Sequence, residues 1–407
     1  MPYNAYNTED PEKLLALKRQ ESDALLDIIR VMNKGVNENQ LIKVAFNLLR
    51  AQLGIGKLAF YRKKEAFWHL IEKTGYTNLP ETVPYANDLN KGPVKGGKLT
   101  ESIDKSEMAY LIPLQNRDLT EGFFIIDEFA DSEAEVLNDI IFIETVGQMV
   151  ILAIENNRLT EEKISQEMIR KELETAEKIQ QHLMKVDVRF HSEVDAFAKY
   201  IAHSKVGGDY YDLIPITEHV FYVCIADVSG KGVSSALLMA NLQASLRALI
   251  RTHDNLERNL RELNELIRIS TGGEKFITVF LARIDMNGKE IQYINAGHNP
   301  PMIIKAGTIE ELTEGSIPLG IMELQAISIG KISFAIGDSL FLYTDGLPEQ
   351  ENLQGVFYGT DRIVKLLSDH ILLSAEDHLH LILEDFWRFS ENSQRRDDVS
   401  LMMLKFK

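Results

Sequence analysis

No proline occurs between Pro113 and Pro215 and no glycine between Gly147 and Gly207. These two residues are the main helix breakers, because proline lacks an N–H and glycine loses most backbone freedom on ordering. A helix starting near Glu133 therefore meets no stop signal for about fifty residues, and one long helix is the economical reading. Such a helix divides the chain of 407 residues into a part before it and a part after it. From 154 to 184 it is rich in Glu, Lys, Gln, Ile and Leu, with Ile169, Leu173, Ala176 and Leu183 at three-and-four spacing and Gln166 and Gln180 interrupting that seam. The spacing is that of a coiled coil, which would make the protein a dimer. A solvated spacer helix packed on its own domain fits the same residues.

Before this helix, apolar spacing predicts helices over 22–32 and 38–53, then short strands over 57–61, 67–71, 109–114 and 122–127. A Gly-, Pro- and Asn-rich stretch, 78–97, lies among the strands. After it, strands are predicted over 220–227, 275–285, 290–295, 301–305, 339–344 and 399–406. Helices are predicted over 234–250, 256–269, 361–368 and 375–389. Met286-Asn287-Gly288 is a hairpin turn between two of the strands. Many strands joined by hairpins, with a few outer helices, predict an α+β layered sandwich rather than alternating βαβ units. The expected divisions are an N-terminal extension (1–19), a sensor domain (20–153), a helical linker (154–186) and a C-terminal domain (187–407).

The net charge of −17 argues against sequence-independent binding to nucleic acid or anionic lipid. Proteins or small molecules are the expected partners. No signal-like h-region opens the chain and no apolar run looks long enough to span a bilayer, so a soluble cytoplasmic protein is expected. The single cysteine, Cys224, fits a reducing compartment and reads as a buried packing residue of an apolar strand.

Four stretches in the C-terminal half place aspartate beside glycine or at a strand end: Gly207-Gly208-Asp209, Ala226-Asp227-Val228-Ser229-Gly230, Tyr343-Thr344-Asp345-Gly346 and Arg395-Arg396-Asp397-Asp398. Each alone is an ordinary turn. Together they suggest one shared site, because hard divalent cations take oxygen ligands held on rigid backbone, and crowded carboxylates need a cation to stay ionised. Two Mg2+ or Mn2+ ions at such a site can activate a water for in-line displacement at phosphorus, with no covalent phosphoenzyme.

In order and spacing, Ala176-Glu177-Lys178-Ile179-Gln180, Val206-Gly207-Gly208-Asp209-Tyr210-Tyr211-Asp212, Ala226-Asp227-Val228-Ser229-Gly230-Lys231-Gly232, Asn295-Ala296-Gly297-His298-Asn299-Pro300-Pro301, Pro318-Leu319-Gly320, Gly337-Asp338, Tyr343-Thr344-Asp345-Gly346 and Asp397-Asp398-Val399 resemble the SpoIIE/RsbU-type branch of the metal-dependent PPM serine/threonine phosphatases, related to protein phosphatase 2C. The resemblance covers roughly the last 230 residues. It implies an αββα sandwich with a dinuclear Mn2+ or Mg2+ centre. Asp227 would bridge both ions with the Val228 carbonyl as backbone ligand, Asp209 would serve the second ion, and Asp345 and Asp397 the first; Asp398 is the less favoured of its pair. It also implies a phosphoprotein substrate, a STAS-type anti-sigma-factor antagonist in a partner-switching circuit. The first domain resembles a GAF-type sensor in shape and order, one that would bind a small-molecule or protein signal.

Other conspicuous residues read as structural. Gly230-Lys231-Gly232 lacks the spacing of a nucleotide-binding loop, leaving Lys231 as a turn residue near phosphate. His298 has no second ligand at metal spacing. His203 and Lys205 read as solvated loop side chains, Tyr210 and Tyr211 as packing residues, and His69 as packing rather than haem ligation. The relatives' substrate-phosphate arginine has no secure counterpart here. A non-catalytic scaffold that binds the same partner, and an enzyme acting on a small phosphoester, are the rival readings.

Overall fold

The computed structural model describes residues 11–32, 35–84, 93–95, 110–116, 119–127, 133–184, 192–391 and 393–407. It forms two compact units, Met1–Glu167 and Met168–Lys407.

The first unit carries helices α1 (Pro11–Met32) and α2 (Glu38–Leu53), and strands β1 (Lys57–Lys64), β2 (Phe67–Thr74), β3 (Thr82–Pro84), β4 (Val94–Lys95), β5 (Tyr110–Asn116) and β6 (Leu119–Asp127). Helix α1 begins inside the segment expected to be an extension. The strands form one antiparallel sheet in the order β3-β2-β1-β6-β5-β4. Strand alternation gives the sheet two apolar faces. Leu58, Phe60, Phe124 and Ile126 pack with the helices, while Ala59, Tyr61, Trp68, Phe123 and Ile125 form a separate cluster on the other face. Half of the Gly-, Pro- and Asn-rich 78–97 stretch lies outside the described residues, as does the 185–191 segment where the linker was expected to end.

Helix α3 runs unbroken over Glu133–Leu183, as the missing breakers predict. Its early turns bury Val136, Ile140, Ile143, Val146 and Val150. At Gly147 a Cβ would come within 2.4 Å of Leu114, so glycine lets the helix seat closely on the sheet. Later turns expose Leu159, Met168, Ile169 and Ile179. Gln180 departs from the expected seam, being buried against its own unit.

The second unit holds two sheets. One has the order β14-β11-β10-β9-β8, with β15 on β11; the other is β13-β12-β16-β17-β7. The first contains β8 (Tyr210–Pro215), β9 (Val220–Val228), β10 (Ile277–Asp285), β11 (Glu290–Ala296), β14 (Gly315–Ser316) and β15 (Gly330–Ser333). The second contains β7 (Val194–Ile201), β12 (Met302–Lys305), β13 (Thr308–Glu311), β16 (Ser339–Tyr343) and β17 (Val399–Phe406). All pairings are antiparallel except β11 with β14. Alternation along β16 and β17 separates two cores. Leu340, Leu342, Met402 and Leu404 join the core shared with β8–β11, α4 (Val233–Thr252) and α5 (Leu256–Thr271). Phe341, Tyr343, Leu401 and Met403 pack instead with α6 (Thr360–Asp369) and α7 (Ala375–Ser390). Cys224, in the middle of β9, is fully buried.

Helix α4 corrects one sequence reading, since it is long and apolar enough to cross a membrane by length and composition, with a mean hydropathy of 1.3. Its Leu238, Met239, Leu242, Leu246 and Ile250 belong to the core.

Candidate metal centre

Neighbouring strands bring the four aspartate stretches to one end of the two sheets. Tyr210 pairs with Ala226, so Asp209 and Asp227 sit side by side where β8 begins and β9 ends. Tyr343 pairs with Leu401, which sets Thr344 and Asp345 beside the segment entering β17. Thr344 ties the sheets together: its Oγ1 donates to Asp209 Oδ2 at 2.8 Å and accepts from the Ser400 N–H at 2.9 Å.

Glycine is required at these junctions by close approach. A Cβ at Gly207 would lie 1.9 Å from Asp398 Oδ2, and one at Gly346 would lie 1.9 Å from the Asp398 carbonyl oxygen. At Gly208 it would be 2.9 Å from the Val228 carbonyl oxygen, so the two backbones touch where a backbone ligand was expected.

The members of the Asp397-Asp398 pair do different work. Asp398 is buried and accepts from the His203 and Gly208 N–H groups at 2.7 and 2.9 Å, clamping the loop that carries Asp209. Asp397 is 40% exposed and lies 2.7 Å from Lys231 Nζ. Gln180 holds the same loop from α3, its Nε2 donating to the Gly207 carbonyl at 2.8 Å and its Oε1 accepting from the Gly207 N–H at 3.1 Å.

These carboxyls are electrostatically crowded. Burial, then the charges of Asp345 and Asp397, pushes Asp227 up to about 7. Burial, then Glu349 and Asp397, pushes Asp345 up to about 6. Burial and its neighbours Asp227 and Asp398 raise Asp209 well above the carboxylate range. Burial plus like charge is the combination a bound cation would relieve.

Among the described residues, no three His, Cys, Asp or Glu side chains form a ready-made ion cage. The donor set nonetheless suits Mg2+ or Mn2+, which take carboxylate and carbonyl oxygens. Lys231 lies within the cluster, and its charge lowers the Asp345 carboxyl against the larger upward effects.

Three residues from Asp209, another buried acid is neutralised by the chain itself. Asp212 accepts from Arg247 Nε at 2.7 Å and Nη2 at 2.9 Å, and also from the Tyr210 hydroxyl. Arg247 is invisible as a partner in the sequence, because it lies on α4, two elements further on.

His298 is buried and braces the turn after β11. Its N–H donates to Asn295 Oδ1 at 2.7 Å, and its Nδ1 lies 2.9 Å from Thr278 Oγ1. Burial lowers it to about 4, so it stays neutral at pH 7. Lys205 lies 3.7 Å from both Glu174 and Glu177 of α3.

Comparison with known proteins agrees with this geometry. Residues 217–407 match the family described as Stage II sporulation protein E (SpoIIE), a segment containing Asp227, Asp345, Asp397 and Asp398, with Asp209 ahead of it. The matched segment is a little under half of the chain, and in it the chain is similar to SpoIIE-type proteins. The chain is 28% identical over 244 residues to phosphoserine phosphatase RsbU of Bacillus subtilis (strain 168), covering 60% of this chain and 72% of that protein. It is 29% identical over 245 residues to phosphoserine phosphatase RsbP of the same organism, covering 58% of each. Among solved structures, the SiaA-PP2C domain of Pseudomonas aeruginosa has a similar fold, with a TM-score of 0.54 at 19% identity over 60% of this chain and 99% of that one.

Proposed function

We propose that this chain is a regulated cytoplasmic protein phosphatase that removes phosphate from phosphoserine or phosphothreonine of a protein partner. The observation that carries the reading is the convergence of Asp209, Asp227, Asp345 and Asp397, from four separate segments, on one site where burial and like charge leave the carboxyls wanting a cation. The side chains of these four residues and the Val228 carbonyl would hold two Mn2+ or Mg2+ ions. Bound there, such ions supply an activated water and a clamp for phosphoryl oxygens. Thr344 orients Asp209, Asp398 fixes the loop backbone, and the Gly207-Gly208 pair lets that loop lie against Val228.

The RsbU and RsbP likeness supports a phosphoserine protein as substrate, and we assign the STAS-type anti-sigma-factor antagonist class. Gln180 supports regulation, because movement of α3 must pull on the Gly207 peptide and with it Asp209. In this reading the first unit is a GAF-like sensor for a small-molecule or protein signal, α3 is the connector, and its exposed Leu159, Met168 and Ile169 pair with a second copy.

The test is hydrolysis of an aryl phosphate and of a phosphorylated STAS protein by the full chain, with EDTA, Mg2+ or Mn2+. Turnover that requires the metal is expected. Binding of the STAS protein without turnover under any metal would favour the scaffold reading.

A further inference from the structure

Five aspartates repel a phosphate dianion, so the site needs cations of its own chain as well as any ions it binds. The basic residues nearby are mostly engaged elsewhere. Arg396 Nη2 pairs with Glu351 at 2.7 Å, Arg395 lies over the Trp387 ring at 5.9 Å, and Lys275 Nζ donates to Ser234 Oγ at 2.7 Å. Lys205 faces Glu174 and Glu177.

Lys231 differs from all of them. Among the described residues it is the one side-chain cation paired with a carboxylate of the centre, through Asp397 Oδ2, and it also donates to the Arg396 carbonyl. It sits between Gly230 and Gly232, whose φ values of 89° and 81° favour glycine, on the turn that follows Asp227. Its side chain is 52% exposed, so the ammonium is anchored at its tip and not walled in along its stem.

We propose that Lys231 is the phosphate-binding cation of this site, held on Asp397 and transferred to the phosphoryl oxygens of the substrate when Asp397 takes up its ligand role. The assignment rests on the phosphatase reading above. A lysine ammonium suits the task, being a compact charge with three rotatable donors on a flexible stem. The same pairing makes Lys231 a competitor of any cation that binds Asp397.

The experiment compares full-length wild type with Lys231→Gln and Lys231→Arg. Mn2+ binding is followed by electron paramagnetic resonance, and binding of inorganic phosphate to the Mn2+-loaded protein by calorimetry. Loss of a charge-assisted contact should weaken phosphate binding by about tenfold or more in Lys231→Gln. Mn2+ binding should tighten in the same variant. Lys231→Arg should keep most of the phosphate affinity, and melting temperatures should stay close to wild type. Phosphate binding unchanged in Lys231→Gln, or absent from wild type, overturns the assignment, and unchanged Mn2+ affinity overturns the hold on Asp397. Equal loss in both variants with a lowered melting temperature marks a structural lysine and also overturns it. Wild type that binds phosphate but hydrolyses no aryl phosphate or phosphoprotein would sink the phosphatase reading alone, with the binding data still deciding Lys231.

Discussion

Asp209 and Asp212 lie three residues apart, are each 1% exposed, and have opposite electrostatic fates. Asp212 is met by a bidentate guanidinium and a tyrosine hydroxyl, whereas Asp209 accepts from a threonine hydroxyl and has two further aspartates nearby. A buried acid matched by the chain's own cation is a structural element, and its removal harms the fold. One surrounded by its own kind is held in place by the fold against its preference, and a site for something else is the physical reason to keep it there.

The largest effect that this contrast predicts is on turnover. Asp227→Asn should lower aryl-phosphate hydrolysis by about a thousandfold or more, while the melting temperature in EDTA holds or rises because a repulsive charge is gone. A variant that keeps its turnover would break the comparison on the functional side. On the structural side, Arg247→Ala leaves Asp212 buried without its cation and should cost about 3 kcal/mol in urea denaturation. Asp209→Asn in the same assay should be neutral or stabilising, and matching losses in the two would erase the distinction.

Gln180→Ala should act between the two, raising the Mn2+ concentration needed for half-maximal turnover by about tenfold, since residues that orient ligands affect affinity at that scale. The smallest effect belongs to the same Arg–Asp geometry at the surface. Arg283 donates to both Asp254 oxygens at 2.8 and 3.0 Å, but the Asp254 side chain is 46% exposed. Asp254→Asn should cost under about 1 kcal/mol. Hydrogen bonding from Arg283 holds the Asp254 carboxyl below its ordinary value, so its contribution is complete above about pH 4 and fades as pH falls below that. An acid titration of wild type against Asp254→Asn checks the sign.

Much of this organisation is written locally and can be read locally. The missing breakers between Gly147 and Gly207 predict α3, and near-continuous apolar runs predict β9, β10 and β17. The Asp-Gly junctions mark strand ends that meet at one edge. Strands β7 and β8 escaped because β7 mixes Asp, Lys and Ala into its alternation and β8 reads as the continuation of a glycine turn. What could not be read is what depends on distant partners. Arg247 on Asp212, Lys231 on Asp397 and Gln180 on Gly207 are chosen by tertiary packing, and no local pattern distinguishes these side chains from solvated ones. Gln180 even fits the heptad spacing that suggested a coiled-coil seam.

Cys224 has a consequence for measurement. It is the chain's only thiol, buried opposite Asp212 in the strand whose end bears Asp227, and burial followed by the Asp212 charge raises it well above the ordinary thiol value. A thiol reagent can reach it only when β9 becomes accessible. Under native conditions, the labelling rate therefore times the opening of the strand that carries the centre. One unmodified side chain becomes a clock for how strongly Mn2+, a partner or the state of α3 holds that strand shut.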